Sequence, residues 1–145
     1  MVTVREILAR KSAEVFTVEA SASVLDATRL MNAHKIGSLV VTDGGRIIGM
    51  FTERDVLSRI VVTEKAPSQV TVGEVMTTEV VCCEPQTPID EAGRILKDRR
   101  IRHLPVCGED GQLAGLISIG DINAYYASDR EAQIHLMSEY IHGRI

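Results

Sequence analysis

The chain has 145 residues, 45% hydrophobic and 25% charged, with a formal net charge of −4. That is the make-up of an ordinary globular protein. The acidic balance argues against a nucleic-acid partner, and no apolar run approaches the ~18 residues of a membrane span.

The first residues carry Glu6 and lack a long apolar stretch, so no secretory leader is expected. Val15–Val18 predicts a short strand. Ser23-x-x-Asp26 has capping-box spacing, and Val24, Ala27 and Met31 recur at helical spacing behind it. Two strands follow, Ile36–Thr42 and Arg46–Phe51, joined by Asp43-Gly44-Gly45 as a tight hairpin. A second helix starts at Thr52. The polar stretch 63–70 reads as a linker.

The series then recurs. Thr71 to Glu74 with Val75 and Met76 matches Thr3 to Glu6 with Ile7 and Leu8. Val80–Cys83 predicts a strand, and Thr87-x-x-Asp90 a capped helix with Pro88 at its first position. Ile89, Ala92 and Leu96 form the apolar face of that helix. Strands Ile101–Cys107 and Gln112–Ile117 flank Glu109-Asp110-Gly111, and a helix starts at Ser118. Pro105 has no N–H to donate, so its strand is expected to be unpaired on that side. Beyond the repeat, Ser128-x-x-Glu131 is expected to cap a tail helix with the stripe Ile134, Met137 and Ile141 and a stop at Gly143. That stripe needs a surface to pack on, either the module or a second chain.

From the capped helix onward the two series match at an offset of 65, which becomes 66 across the second hairpin, and the lead-in segments match at 68. The expected fold class is therefore α/β: a βαββα unit at 2–62, a linker at 63–70, a second unit at 71–127 and a helical tail at 128–145. A unit of about 60 residues is marginal alone, so the two are expected to share a core. With 3% aromatics and no Trp, that core must be aliphatic. Cys82, Cys83 and Cys107 contain no CxxC and are odd in number, which points to a reducing cytoplasm rather than a disulfide framework.

Gly49-Met50-Phe51-Thr52-Glu53-Arg54-Asp55 and Gly115-Leu116-Ile117-Ser118-Ile119-Gly120-Asp121 resemble the Gly-x-hydrophobic-Ser/Thr-x-x-Asp signature of cystathionine-β-synthase-type (CBS) domains. Ile101-Arg102-His103-Leu104-Pro105-Val106 resembles the strand that precedes it in that family. The resemblance covers roughly 2–127 and implies a pseudo-twofold pair of repeats with two clefts. Such clefts take adenosine-containing ligands: AMP, ADP, ATP, NAD or S-adenosylmethionine. It also implies a homodimer, a regulatory rather than catalytic role, and no obligatory cofactor.

The candidate ligand residues follow from that resemblance. Thr52, Asp55, Ser118 and Asp121 stand at helix starts, where a carboxylate can accept ribose hydroxyls; the same spacing also serves plain capping. Arg54, and Arg102 with His103, are candidates for phosphate. The first copy has Gly37 and Ser38 where the second has Arg102 and His103, and Gly120 stands where the first has Arg54, so the clefts are unequal. A shared cleft would pool these charges. Phe16, Ile36, Val81 and Ile101 line the adenine slot in this reading, or serve as ordinary core. No zinc-site spacing, Walker loop or nucleophile elbow occurs. The expected function is an adenine-nucleotide sensor that modulates its own dimer or a protein partner, with no nucleic acid and no membrane. The alternative is a ligand-independent dimerisation scaffold.

Overall fold

The two hairpins anticipated at Gly44-Gly45 and Asp110-Gly111 organise the molecule into two sheets. The computed structural model describes residues 1–11 and 15–141, with side chains described as far as Arg130. In the first sheet β1 (Thr17–Glu19) runs parallel to β2 (Ser38–Asp43), which pairs antiparallel with β3 (Arg46–Thr52). Gly44 and Gly45 both take positive φ (58° and 84°), the conformation a two-residue hairpin turn demands. The second sheet is β4 (His103–Cys107) against β5 (Leu113–Ser118), with Asp110 and Gly111 at positive φ between them. Gly45 O accepts the Leu113 N–H across the two hairpins at 3.2 Å.

Each sheet is covered by the helix its own repeat supplies. α2 (Val24–His34) buries Val24, Ala27 and Met31 against Leu39, Val41 and Phe51. The Ser23 hydroxyl caps it by accepting the Asp26 N–H. α5 (Ile89–Asp98) buries Ile89, Ala92 and Leu96 against Leu104, Val106 and Ile117.

The second repeat departs from the expected strand at Val80–Cys83, where only one parallel bridge forms, Cys83 to Val106. Pro105 explains it. In the first repeat the Val40 N–H donates to Phe16 O at 3.3 Å. Pro105 occupies the matching place and has no N–H to offer Val81, so the ladder is cut there. Other boundaries also shift. β1 starts later than Val15, and Ile36 and Ile101 precede their strands because Lys35 and Arg100 turn left-handed at the helix ends (φ 54° and 53°). Pro88 sits at the N-cap of α5 rather than inside it, while the Thr87 hydroxyl accepts the Glu84 N–H in the preceding turn. The C-terminal helix begins at Ile119 and runs unbroken to Ile141 as α6, so Ser128 caps nothing. Ala124 and Ala127 carry the helix through, with no Pro or Gly after Gly120 in its first turn to stop it. The side chains of Ile134, Met137 and Ile141, and Gly143 itself, lie outside the described residues.

The two lead-in helices exchange partners. α1 (Val4–Arg10) precedes the first repeat, yet Val4 and Ile7 are buried in the apolar cluster of the second. α4 (Val72–Val75) precedes the second repeat, and Val72 and Val75 are buried with the first. Between them the chain forms α3 (Glu53–Val56), which winds on into a π-helical turn, Leu57–Val61. Gly49 permits the α4 crossing: a β-carbon there would fall 2.9 Å from the Thr77 carbonyl oxygen, where Thr77 and Met50 exchange both backbone hydrogen bonds. Among the described residues no helix is long and apolar enough to cross a membrane.

Candidate functional site

The antiparallel register of β4 and β5 places His103 opposite Ser118, and the Ile119 N–H donates to Arg102 O at 3.0 Å. The start of β4 therefore lies against the start of α6. There Ser118 and Asp121 form a reciprocal cap. The Ser118 N–H donates to Asp121 Oδ2 at 2.7 Å, and the Asp121 N–H to Ser118 Oγ at 3.0 Å. The crossing of α1 brings a residue with no place in the repeat signature: Lys11 Nζ lies 2.9 Å from Asp121 Oδ2 and 2.8 Å from Leu116 O. The preceding Arg10 lies over the Tyr125 ring at 5.2 Å, which ties the end of α1 to α6 a second time.

These neighbours set the protonation states. Burial pushes the Asp121 carboxyl up. The Lys11 ammonium and the Ser118 N–H outweigh that and hold it below the ordinary carboxylate value. Half-buried His103 is pushed down, first by desolvation and then by the Lys11 charge. Asp121 pulls the other way, and Arg102 adds to the lowering. The free site thus presents an ionised carboxylate paired with Lys11, and an imidazole disfavoured for protonation, at the N-terminus of a 23-residue helix, with exposed Arg102 next to His103 in the chain.

The first repeat builds the same cap and closes it. The Thr52 N–H and hydroxyl both donate to Asp55 Oδ2, at 3.0 and 3.2 Å, and the Asp55 N–H donates back to Thr52 Oγ1. Asp55 Oδ1 faces the Thr77 hydroxyl at 3.5 Å and Arg59 Nε at 3.7 Å. Asp55 is only 5% exposed. The i,i+4 spacing of Asp55 and Arg59 was a readable signal for that pair. Nothing in the spacing pointed to Thr77 or Lys11, because both arrive through the exchange of lead-in segments.

The remaining expected residues divide by repeat. Ser38 is buried opposite Thr52 on β3, and Arg54 is exposed on α3. Phe16 stacks on His34 with ring centroids 4.0 Å apart, and with Ile36 it packs on the first apolar cluster. Val81 and Ile101 pack on the second. Among the described residues no hydrogen bond or ion pair joins Arg54 to Arg102 or His103; each strand start meets the helix start of its own repeat, through the Glu53 N–H to Gly37 O and the Ile119 N–H to Arg102 O. A cavity of about 280 Å³ lies at the far end of β4, lined by Arg5, Glu84, Pro85, Gln86, Cys107, Gly108 and Glu109. It contains none of the expected residues. Its two carboxylates against one guanidinium suit an anion poorly, so the start of β4 is the better candidate.

A family model described as "CBS domain" matches the chain twice, at residues 1–62 and 72–128. The CBS domain-containing protein CBSX3, mitochondrial, of Arabidopsis thaliana is 33% identical over 126 residues, which cover 83% of this chain and 61% of that protein. The chain thus matches less than two thirds of that relative's length. The structure of a putative signal-transduction protein with CBS domains from Burkholderia ambifaria superposes with a TM-score of 0.81 at 39% identity, covering 88% of this chain and 96% of that one. The CBS domain pair of protein MJ0100, solved with 5-methylthioadenosine and S-adenosyl-L-methionine, has the same fold at 22% identity and a TM-score of 0.77, with coverage of 89% and 98%.

Proposed function

The chain belongs to the CBS-domain family, and from that premise we propose that it is a regulatory module that binds an adenosine-containing ligand where β4 meets α6. The observation that carries this reading is Asp121: an ionised carboxylate at a helix start, partly exposed, paired with Lys11 and felt electrostatically by His103. Among the described residues no hydrogen bond reaches its Oδ1, which leaves an acceptor for a ribose hydroxyl. Arg102 and His103, at the start of β4, are the candidates to meet a phosphate. That a protein of the same fold holds adenosine derivatives supports the ligand class. The matching place in the first repeat is secondary, since Asp55 already has partners on both oxygens. No catalytic step is assigned to the chain. Its free thiols Cys82, Cys83 and Cys107 fit a reducing compartment such as the cytoplasm.

Because Asp121 sits in the first turn of α6, ligand contact acts directly on a helix that runs on to Ile141. That continuity gives the module a route to a partner. Calorimetric titration of AMP into protein stripped of co-purified nucleotide tests the reading. Saturable binding that weakens in Asp121→Ala is expected; no heat in folded protein removes it.

His103 supplies a pH signature. It is held below its ordinary value in the free site, and a bound phosphate would raise it, so the complex takes up a proton. AMP affinity should therefore rise as pH falls from about 8 to about 6. AMP itself gains a proton in this range, so the measure is the difference between wild type and His103→Gln. Parallel pH profiles for the two would show that His103 does not meet the phosphate.

A scaffold role, with or without ligand, draws on a separate observation. Leu57, Val61 and Val62 on and beyond the π-helical turn are 61%, 60% and 76% exposed, and Ile119 and Tyr126 on α6 are also exposed. Apolar side chains so placed suit a second copy of this chain. Sedimentation should show a dimer that Leu57→Glu dissociates; a wild-type monomer at every concentration would rule this out.

A further inference from the structure

Lys11 holds the carboxylate that the proposed ligand must use. Its ammonium takes Asp121 Oδ2, the oxygen that already accepts the Ser118 N–H, and it also donates to Leu116 O. Both side chains are mostly buried, 25% and 22% exposed, so neither charge is fully compensated by water. A ribose diol that engages both carboxylate oxygens has to move the ammonium off Oδ2. A neutral nucleoside would leave that ammonium without an anion in a half-buried place. A nucleotide carries its own anion: ribose hydroxyls take over Asp121 while the phosphate takes over Lys11. The flexible stem of Lys11 permits the swing.

We propose that Lys11 is a specificity-determining residue that makes the site select phosphorylated adenosines over neutral ones, by exchanging its Asp121 partner for the ligand phosphate. This inference rests on the ligand reading above and names the class of ligand within it. Arg102 adds charge but cannot replace Lys11, since no ion pair joins it to Asp121 among the described residues. The first repeat lacks the device. There Met50 O, which matches Leu116 O, accepts the Thr77 backbone N–H instead of an ammonium.

Titrations of AMP and of adenosine into wild type, Lys11→Met and Lys11→Arg give the test. Lys11→Met keeps the stem and drops the charge. Wild type should favour AMP over adenosine by more than about tenfold, as charge-assisted bonds to phosphate do. Lys11→Met should bring the two ligands within about threefold, chiefly by weakening AMP, and Lys11→Arg should restore the preference. An AMP-to-adenosine ratio unchanged in Lys11→Met, or adenosine bound by wild type as tightly as AMP, overturns the inference and leaves the ligand reading standing. Failure of both ligands to bind any folded variant overturns the ligand reading, and the inference with it.

Discussion

Ile7→Ala should loosen the second repeat, although Ile7 precedes the first. Its side chain is 3% exposed and packs with Cys83, Ile89, Leu96, Leu104 and Ile117. Truncating a buried Ile to Ala costs about 2–4 kcal/mol, the lost transfer energy plus the cavity left behind. Thiol labelling reads where that loss falls, because Cys82, Cys83 and Cys107 all belong to the second repeat. In the intact protein burial pushes Cys82 and Cys83 up to about 12, so both are poor nucleophiles until the cluster opens. In sub-denaturing urea Ile7→Ala should therefore label faster than Val75→Ala, which empties the equivalent place in the first cluster. Equal labelling of the two variants would mean that the clusters open together and that α1 does not belong to the second one energetically.

Asp121→Ala should weaken AMP binding by more than about tenfold, whereas Asp55→Ala should chiefly weaken the fold. The two aspartates occupy matching places in the signature, yet their surroundings differ. Asp121 keeps one oxygen open and its side chain is 22% exposed. Asp55 is enclosed by Thr52, Thr77 and Arg59, so removing it strips a cap and leaves Arg59 without its carboxylate, a loss of about 1–2 kcal/mol. Asp121→Asn is the control for folding. It keeps an oxygen for the Ser118 N–H but gives up the charge that holds Lys11. Calorimetry with AMP on Asp121→Asn, Asp121→Ala and Asp55→Ala, beside urea melts of each, separates the two roles. Stronger loss of AMP binding in Asp55→Ala than in Asp121→Ala would transfer the site to the first repeat.

Much of this site was legible before any fold was known. The caps joining Ser118 with Asp121, and Thr52 with Asp55, were marked by spacing, because an N-cap bond joins residues three apart whatever lies around them, while their candidacy as ligand residues came from the family resemblance. Arg102 and His103 became candidates through the same resemblance, at the start of the strand that leads into Leu104. The clefts read as unequal from Arg54, Arg102 and His103; what stayed hidden was the difference in surroundings between the two aspartates. Asp55 and Asp121 read alike until Thr77 and Lys11 arrive from lead-in segments that cross between repeats. The pooling of Arg54 with Arg102 and His103 was conditional on a shared cleft, and among the described residues no hydrogen bond or ion pair links these groups across the repeats. Likewise the strand expected at Val80–Cys83 has enough apolar character. Its loss turns on one missing N–H at Pro105, which matters only once the partner strand is known.

Local order along the chain, then, was the sequence's own doing. The repeated alternation, the helix caps, the glycine hairpins and the aliphatic core faces depend on residues a few places apart, whose geometry is set by backbone sterics and short-range hydrogen bonds. Tertiary structure alone decided which lead-in helix completes which core, and so which charge meets which carboxylate. Those contacts join residues from 22 positions apart, Thr77 and Asp55, to 110 apart, Lys11 and Asp121. No periodicity encodes such a pairing; it follows from which apolar face of α1 finds a surface to bury.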